Sequence, residues 1–194
     1  VARGWLLYEL TNSTLQLGLI RGVQAIPILL LSPLAGSAAD RYSRKNQILV
    51  AQIVDGLLYV IVATLIFAGR IEPWHVYVTA FGMSVVQAFQ QPARAAMVGD
   101  AVPTEHITNA IGLNSIIFNV ARSAGPAVAG FLIALVGTGG AYTAQAVCYF
   151  LATIWTWQLR AGQNPAQSAS GKDGHDESFG QSILEGWKFS WRND

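Results

Sequence analysis

Ten consecutive residues constrain this chain more than any others: Gly36, Ser37, Ala38, Ala39, Asp40, Arg41, Tyr42, Ser43, Arg44 and Lys45. They close one apolar run, residues 17–39, and lead into another, residues 47–68. Each run is long enough to cross a bilayer core as a helix, which takes about 20 residues. A charged stretch between two such runs is a tight interfacial turn, and its wealth of Arg and Lys predicts the cytoplasmic side. Gly36 has no Cβ, which lets another helix approach closely. Asp40 is placed to cap a helix N-terminus, where free N–H groups and the helix dipole favour an anion. Arg41, Arg44 and Lys45 are available to carboxylates on neighbouring segments.

Only 12% of the 194 residues are charged, against about 25% in soluble domains. An all-α membrane protein is the expected class. The net charge of +1 and the lack of a basic patch give no basis for nucleic-acid binding. A single cysteine, Cys148, leaves no internal disulfide framework or cysteine metal cluster. His75, His106 and His175 fall outside the apolar runs and form no ligand pair, so no metal site is expected. There is no Gly-x-Ser-x-Gly elbow, no phosphate loop and no pair of acids at helical spacing within a span. The expected class is therefore not an enzyme, and no cofactor is implied.

Residues 1–10 are too short to cross and read as the outer part of a first helix, with Trp5 and Tyr8 at the interface belt. The chain thus reads as a piece of a longer one, entered within its first span. Further spans are expected at about 17–39, 47–68, 74–95, 108–136 and 141–160, with a turn at residues 137–140. Residues 161–194 turn to Gly, Ser, Gln and Asp and predict a linker. Within it, Ser178 and Gln181 have capping-box spacing, and Ile183, Leu184, Trp187 and Trp191 line one side of a short amphipathic helix at about 178–191.

Polar residues inside the spans are the functional candidates, because hydrocarbon tolerates them only where they meet water or protein. Asp55 is the one carboxylate deep in a complete span; a proton or substrate role and a structural ion pair fit it equally. Arg21, near the outer end of its span, fits either snorkelling to the interface or a contact with substrate or Glu9. Ser84, Gln87, Gln91 and Arg94 share one helical face, and so do Ser115, Asn119, Arg122 and Pro126. Arg122 lies about 20 Å along its helix, near mid-depth, too deep to snorkel easily. It is expected to line a central cavity together with Asn119, Ser115, Gln87 and Gln91.

The charged turn resembles the signature loop of the major facilitator superfamily, Gly-x-x-x-Asp-Arg-x-x-Arg-Arg/Lys and an apolar residue, here Ile48. It departs from that pattern at Ser43, where the family usually has Gly, and at Ala38, where Leu is common. The stretch from Ala121 to Gly130 resembles the fifth-span motif of superfamily antiporters through Gly125, Pro126 and Gly130, with Ala121 and Ala129 replacing two glycines. Trp5-Leu6-Leu7-Tyr8-Glu9-Leu10-Thr11-Asn12-Ser13, Leu17-Gly18-Leu19 and Gln91-Pro92-Ala93-Arg94 are similar to the branch that holds enterobactin exporters and macrolide efflux proteins.

The resemblance implies the N-terminal six-helix half of a fold built as a 3+3 inverted repeat, with its first helix truncated. It implies alternating access against a C-terminal half of the same chain, and a multi-pass location in the cell membrane. It also implies export of a small amphipathic compound, such as a drug, macrolide or siderophore, driven by the proton motive force. Gly36, Asp40, Arg41, Arg44 and Lys45 would form the cytoplasmic gate. Two other readings stay open: a facilitator or importer without proton antiport, and a non-transporting membrane sensor or scaffold.

Arg41, Arg44, Lys45, Arg94 and Arg160 fall on one side of the spans and Arg70 on the other. That asymmetry places the motif turn and the linker in the cytoplasm. A cysteine at Ser43 should react with an impermeant maleimide only from the cytoplasmic side, and one at Glu72 only from outside. Labelling from the opposite sides would reverse the topology.

Overall fold

A backbone in hydrocarbon has no water to bond, so each apolar run must satisfy its own N–H and C=O groups, and a helix does this. The computed structural model describes residues 2–100 and 102–158, with the side chains of residues 37, 39–41, 99, 100 and 104 outside that description. It is all-helical, with no strand among the described residues. The helices are α1 (Ala2–Thr11), α2 (Thr14–Arg41), α3 (Arg44–Phe67), α4 (Pro73–Asp100) and α5 (Ile107–Gln158), with a 3₁₀ turn at Thr104–His106. The linker, its expected amphipathic helix at 178–191 and Arg160 lie outside the described residues.

Three helical stretches are long and apolar enough to cross a membrane: Thr14–Gly36, Arg44–Phe67 and Ile107–Gln158. α4 has 28 residues but falls outside this set. Gln87, Gln90, Gln91 and Arg94 dilute its hydropathy.

The breaks between helices are shorter than the sequence suggests. α1 and α2 are separated only by Asn12 and Ser13, and Asn12 takes φ 48°, with its N–H donating to the Tyr8 carbonyl at 2.8 Å. Asn adopts this left-handed conformation more readily than most residues because its short polar side chain bonds locally. Pro27 and Pro33 lie inside α2 and Pro126 inside α5. The non-helical dihedrals in α5 fall instead at Gly137, φ 72° and ψ 176°. The turn expected over 137–140 thus contracts to one residue, and α5 consists of two arms, 107–136 and 138–158.

α2 packs on α4, and α3 packs on both α4 and α5. Leu6 and Leu7 of α1 close over Ile20, Val62, Ala63, Val76, Ala80 and Tyr142, so the core gathers where all five helices meet. Small residues permit close backbone approach, and they act at positions other than the ones the motifs suggested. A Cβ on Gly56 would stand 3.3 Å from the Phe150 ring, and one on Gly139 3.1 Å from Ile66 and Phe67. At Gly36, Gly125 and Gly130 it would meet nothing within 4 Å. The arm 107–136 is exposed along nearly its whole length, whereas the arm 138–158 buries Thr138, Gly139, Ala141, Tyr142, Ala146 and Thr156.

The dihedrals at Gly137 belong to a region that residues with a Cβ essentially avoid, at a cost on the order of 1–3 kcal/mol. Gly137→Ala in the full-length protein should lower its thermal unfolding midpoint in detergent, while Gly112→Ala, in open helical surroundings, should leave it level or slightly higher. Equal midpoints for the two would show that the break does not need glycine.

Candidate functional site

The motif turn is almost entirely helical. α2 runs through Asp40 and Arg41, leaving only Tyr42 and Ser43 before α3. Asp40 therefore sits in the last turn of α2, not at the N-cap position of α3 expected of it; that position is Ser43, which makes no side-chain cap bond. The turn is closed by other groups. Tyr42 N–H donates to the Ala38 carbonyl at 3.0 Å, and Gln47 Nε2 donates to that carbonyl at 2.6 Å and to Tyr42 O at 3.4 Å. The Ala38 carbonyl thus accepts twice, from the Tyr42 N–H and from Gln47, and the Gln47 amide bridges Ala38 and Tyr42 at the end of α2. Lys45 starts at the positive end of α3, where a cation is disfavoured, and reaches across to donate to the Trp157 carbonyl at 2.7 Å. That carbonyl lies on the second arm of α5, so the bond links the start of α3 to α5.

At the opposite end of the bundle a cavity of about 670 Å³ opens between α1, α2, α3, α4 and the second arm of α5. Its wall carries Arg3, Arg21, Gln24, Gln87 and Gln145, with Tyr8, Tyr59 and Tyr142. Arg3 Nη2 donates to the Met83 sulfur, and its guanidinium is within side-chain hydrogen-bonding reach of Tyr59 and Tyr142. The Tyr59 ring lies 5.9 Å from that of Tyr142 and 5.3 Å from that of Tyr149, so three aromatics brace the site. Asp55, one turn before Tyr59, is 5% exposed, lies within electrostatic reach of Arg3, and has one carboxyl oxygen, Oδ1, without a hydrogen-bond partner. Glu9, the acid weighed as a partner for Arg21, instead accepts a 2.8 Å bond from Thr138 Oγ1.

The other candidates divide. Arg21 and Gln87 line this cavity with Arg3. Gln87 also borders a smaller one of about 360 Å³, with Gly36, Gln91 and Pro92. Gln91 and Arg94 line a further cavity of about 590 Å³ with Asn114 and Ala121 of α5 and Gln52 of α3. Arg122, one residue beyond Ala121, is exposed on the first arm of α5 and lines none of these cavities. Ser115 and Asn119 turn their polar groups to carbonyls of their own helix, Ile111 O at 2.8 Å and Ser115 O at 2.9 Å. Gly125, Pro126 and Gly130 lie on the same arm. Sequence reasoning passed over Arg3. The first ten residues fix no depth by themselves; the structure places Arg3 eight residues before the end of α1.

A family model described as transmembrane secretion effector, within the major facilitator superfamily, matches residues 1–193. The staphyloferrin A transporter of Staphylococcus aureus is 30% identical over 157 residues, 79% of this chain and 39% of the relative. The macrolide efflux protein A of Streptococcus pyogenes is 26% identical over 126 residues, 65% of this chain and 31% of the relative. The multidrug efflux pump Tap of Mycolicibacterium fortuitum is 25% identical over 199 residues, 98% of this chain and 47% of the relative. The chain therefore spans less than half the length of these relatives. They are transporters, not enzymes.

The Lys45–Trp157 bond ties the motif turn to the end of α5. A charged hydrogen bond at an exposed site contributes roughly 1 kcal/mol, or about fivefold in an opening equilibrium. In full-length protein carrying Ser43→Cys, Lys45→Met should raise the rate of thiol modification about fivefold. An unchanged rate would show that this bond does not hold the turn.

Proposed function

The chain belongs to the transmembrane secretion effector family of the major facilitator superfamily, and from that premise we propose that it is the N-terminal six-helix half of a secondary active transporter. The half follows the 3+3 inverted repeat and works against a C-terminal half of the same chain. The protein exports a small amphipathic compound, a drug, macrolide or siderophore, by alternating access. It draws on the proton motive force and uses no bound cofactor. It resides in the cell membrane as a multi-pass protein, with the motif turn and the linker in the cytoplasm.

The observation that carries this reading is the cavity of about 670 Å³, lined by both polar and apolar side chains, that opens among the helices of a chain in this family. Cavities of roughly 300–1,000 Å³ suit drug-sized ligands. Relatives named for staphyloferrin transport, macrolide efflux and multidrug efflux support a small-molecule cargo. The break at Gly137 supports a division of α5 into two spans. The exposure of the arm 107–136, with Arg122, Ser115 and Asn119 upon it, supports a surface completed by the second half. On this reading Arg122, Asn119 and Ser115 face the shared pathway from that arm, with Gly125, Pro126 and Gly130 as its packing segment, while Arg21, Gln87, Gln91 and Asp55 serve it from α2, α4 and α3. Gly36, Asp40, Arg41, Arg44 and Lys45 form the cytoplasmic gate.

A drug, macrolide and siderophore accumulation panel with the full-length protein in an efflux-deficient host tests the proposal. Accumulation of at least one compound should fall on expression and recover with an uncoupler. Efflux that survives the uncoupler would indicate a facilitator, and a protein that moves nothing would indicate a sensor or scaffold. Asp40→Asn keeps shape and removes charge; a contribution of about 1–3 kcal/mol to the closed gate predicts a loss of transport of about fivefold or more at normal expression. Unchanged efflux would remove Asp40 from the gate.

A further inference from the structure

Arg3 and Arg21 stand on different helices and line the same cavity. Arg3 lies eight residues before the end of α1, and Arg21 seven after the start of α2. At 1.5 Å per residue both guanidinium-bearing positions lie about 10–12 Å from the turn that joins the two helices. By this count they occupy one level, two turns into the helices and short of the middle of a hydrocarbon core about 30 Å thick. Charge at that depth is disfavoured unless it meets water or a counter-charge, and two like charges facing one space also repel each other.

Among the described residues, no carboxylate lines the cavity. Glu9 keeps its charge but lies outside the lining, exposed and accepting from Thr138. Asp55 is the acid within electrostatic reach of Arg3, but it is buried behind the wall. Two guanidinia against one carboxyl leave a net charge of +1, even with Asp55 ionised. The remaining polar wall, Gln24, Gln87 and Gln145, is neutral and can donate through amide N–H groups.

We infer that this cavity holds a small organic anion, its acidic group bound between Arg3 and Arg21. The inference rests on the transporter reading and specifies its substrate class. Guanidinium presents paired N–H donors that match a carboxylate, sulfonate or phosphate edge. Trp5, Leu17 and Ile20 supply an apolar side for the rest of the molecule. A cationic amphiphile would find like charge here and no acid on the wall.

The test measures the sign of the cavity directly. Full-length protein with Cys148→Ser receives a single cysteine at Gln24, and in a control at Glu72, an exposed turn residue. Each is treated with the anionic sulfonatoethyl and the cationic trimethylammonioethyl methanethiosulfonate, and the ratio of anionic to cationic rate is taken. At Gln24→Cys that ratio should exceed the Glu72→Cys ratio by about tenfold or more, as expected where a charged cleft concentrates a counter-ion. It should fall to the control value in Arg3→Gln/Arg21→Gln. A ratio at or below the control, or one indifferent to the two arginines, would overturn the inference. The ratio at intact arginines decides the matter even where the double variant does not fold. In the accumulation panel, efflux selective for cations over anions would overturn the anion assignment and leave the transporter reading standing. Failure to move any compound would overturn the transporter reading alone, with the labelling ratio still reporting the cavity.

Discussion

A chain in hydrocarbon must satisfy its backbone from within, and everything else in this structure follows from that constraint. Helices solve it for N–H and C=O groups, but they leave each intramembrane polar side chain to find protein or water. The short α1 shows the consequence. Its Leu6 and Leu7 enter the common core, while Arg3 turns to Met83, Tyr59 and Tyr142 from three other helical segments. Thr138, at the start of the second arm of α5, holds the Glu9 carboxylate. Polar contacts from α1 therefore reach the same helices that its apolar face packs against, and one set of positions serves both cohesion and the cavity.

The two ends of the bundle have different chemistry. At one end the cavity carries guanidinium, amide and phenol groups. At the other, the Gln47 amide and the Lys45 ammonium donate to the Ala38 and Trp157 carbonyls. α2 joins the two ends, since Arg21 lies on the cavity and Ala38, which receives the Gln47 bond, lies in the turn. α4 lies against α2, and its Gln87 and Gln91 reach the cavities between.

The helical class was legible in the sequence because runs of twenty or so apolar residues have few other solutions in a bilayer. The turn beside Ser43 was legible from its charges, but its extent was not, since Asp40 and Arg41 tolerate helix and nothing before Tyr42 stops α2. The grouping of Arg21 with Gln87 is consistent with their reading as polar positions in spans. Arg3 escaped notice because a first segment of ten residues gave no measure of depth until α1 was seen packed among the other helices. The glycines illustrate the same limit. Gly56 and Gly139 carry no motif, yet they admit Phe150, Ile66 and Phe67, because close approach depends on which helix lies opposite. Ser115 and Asn119 share a face with Arg122 by periodicity, but their hydrogen bonds go to their own helix.

The length of α2 has a further consequence. The helix has 28 residues, of which Thr14–Gly36 form the apolar part. The five that remain, ending at Arg41, add a stalk of about 7 Å at 1.5 Å per residue. That is comparable to one headgroup layer, the difference between a hydrocarbon core of about 30 Å and a whole bilayer of about 40–45 Å being shared by its two faces. A bilayer a few ångströms thicker engulfs stalk before it engulfs the turn, and a thinner one merely lengthens the stalk. The Tyr42–Ser43 turn therefore keeps its surroundings across membranes of different thickness, and hydrophobic mismatch is absorbed by the helix beneath it.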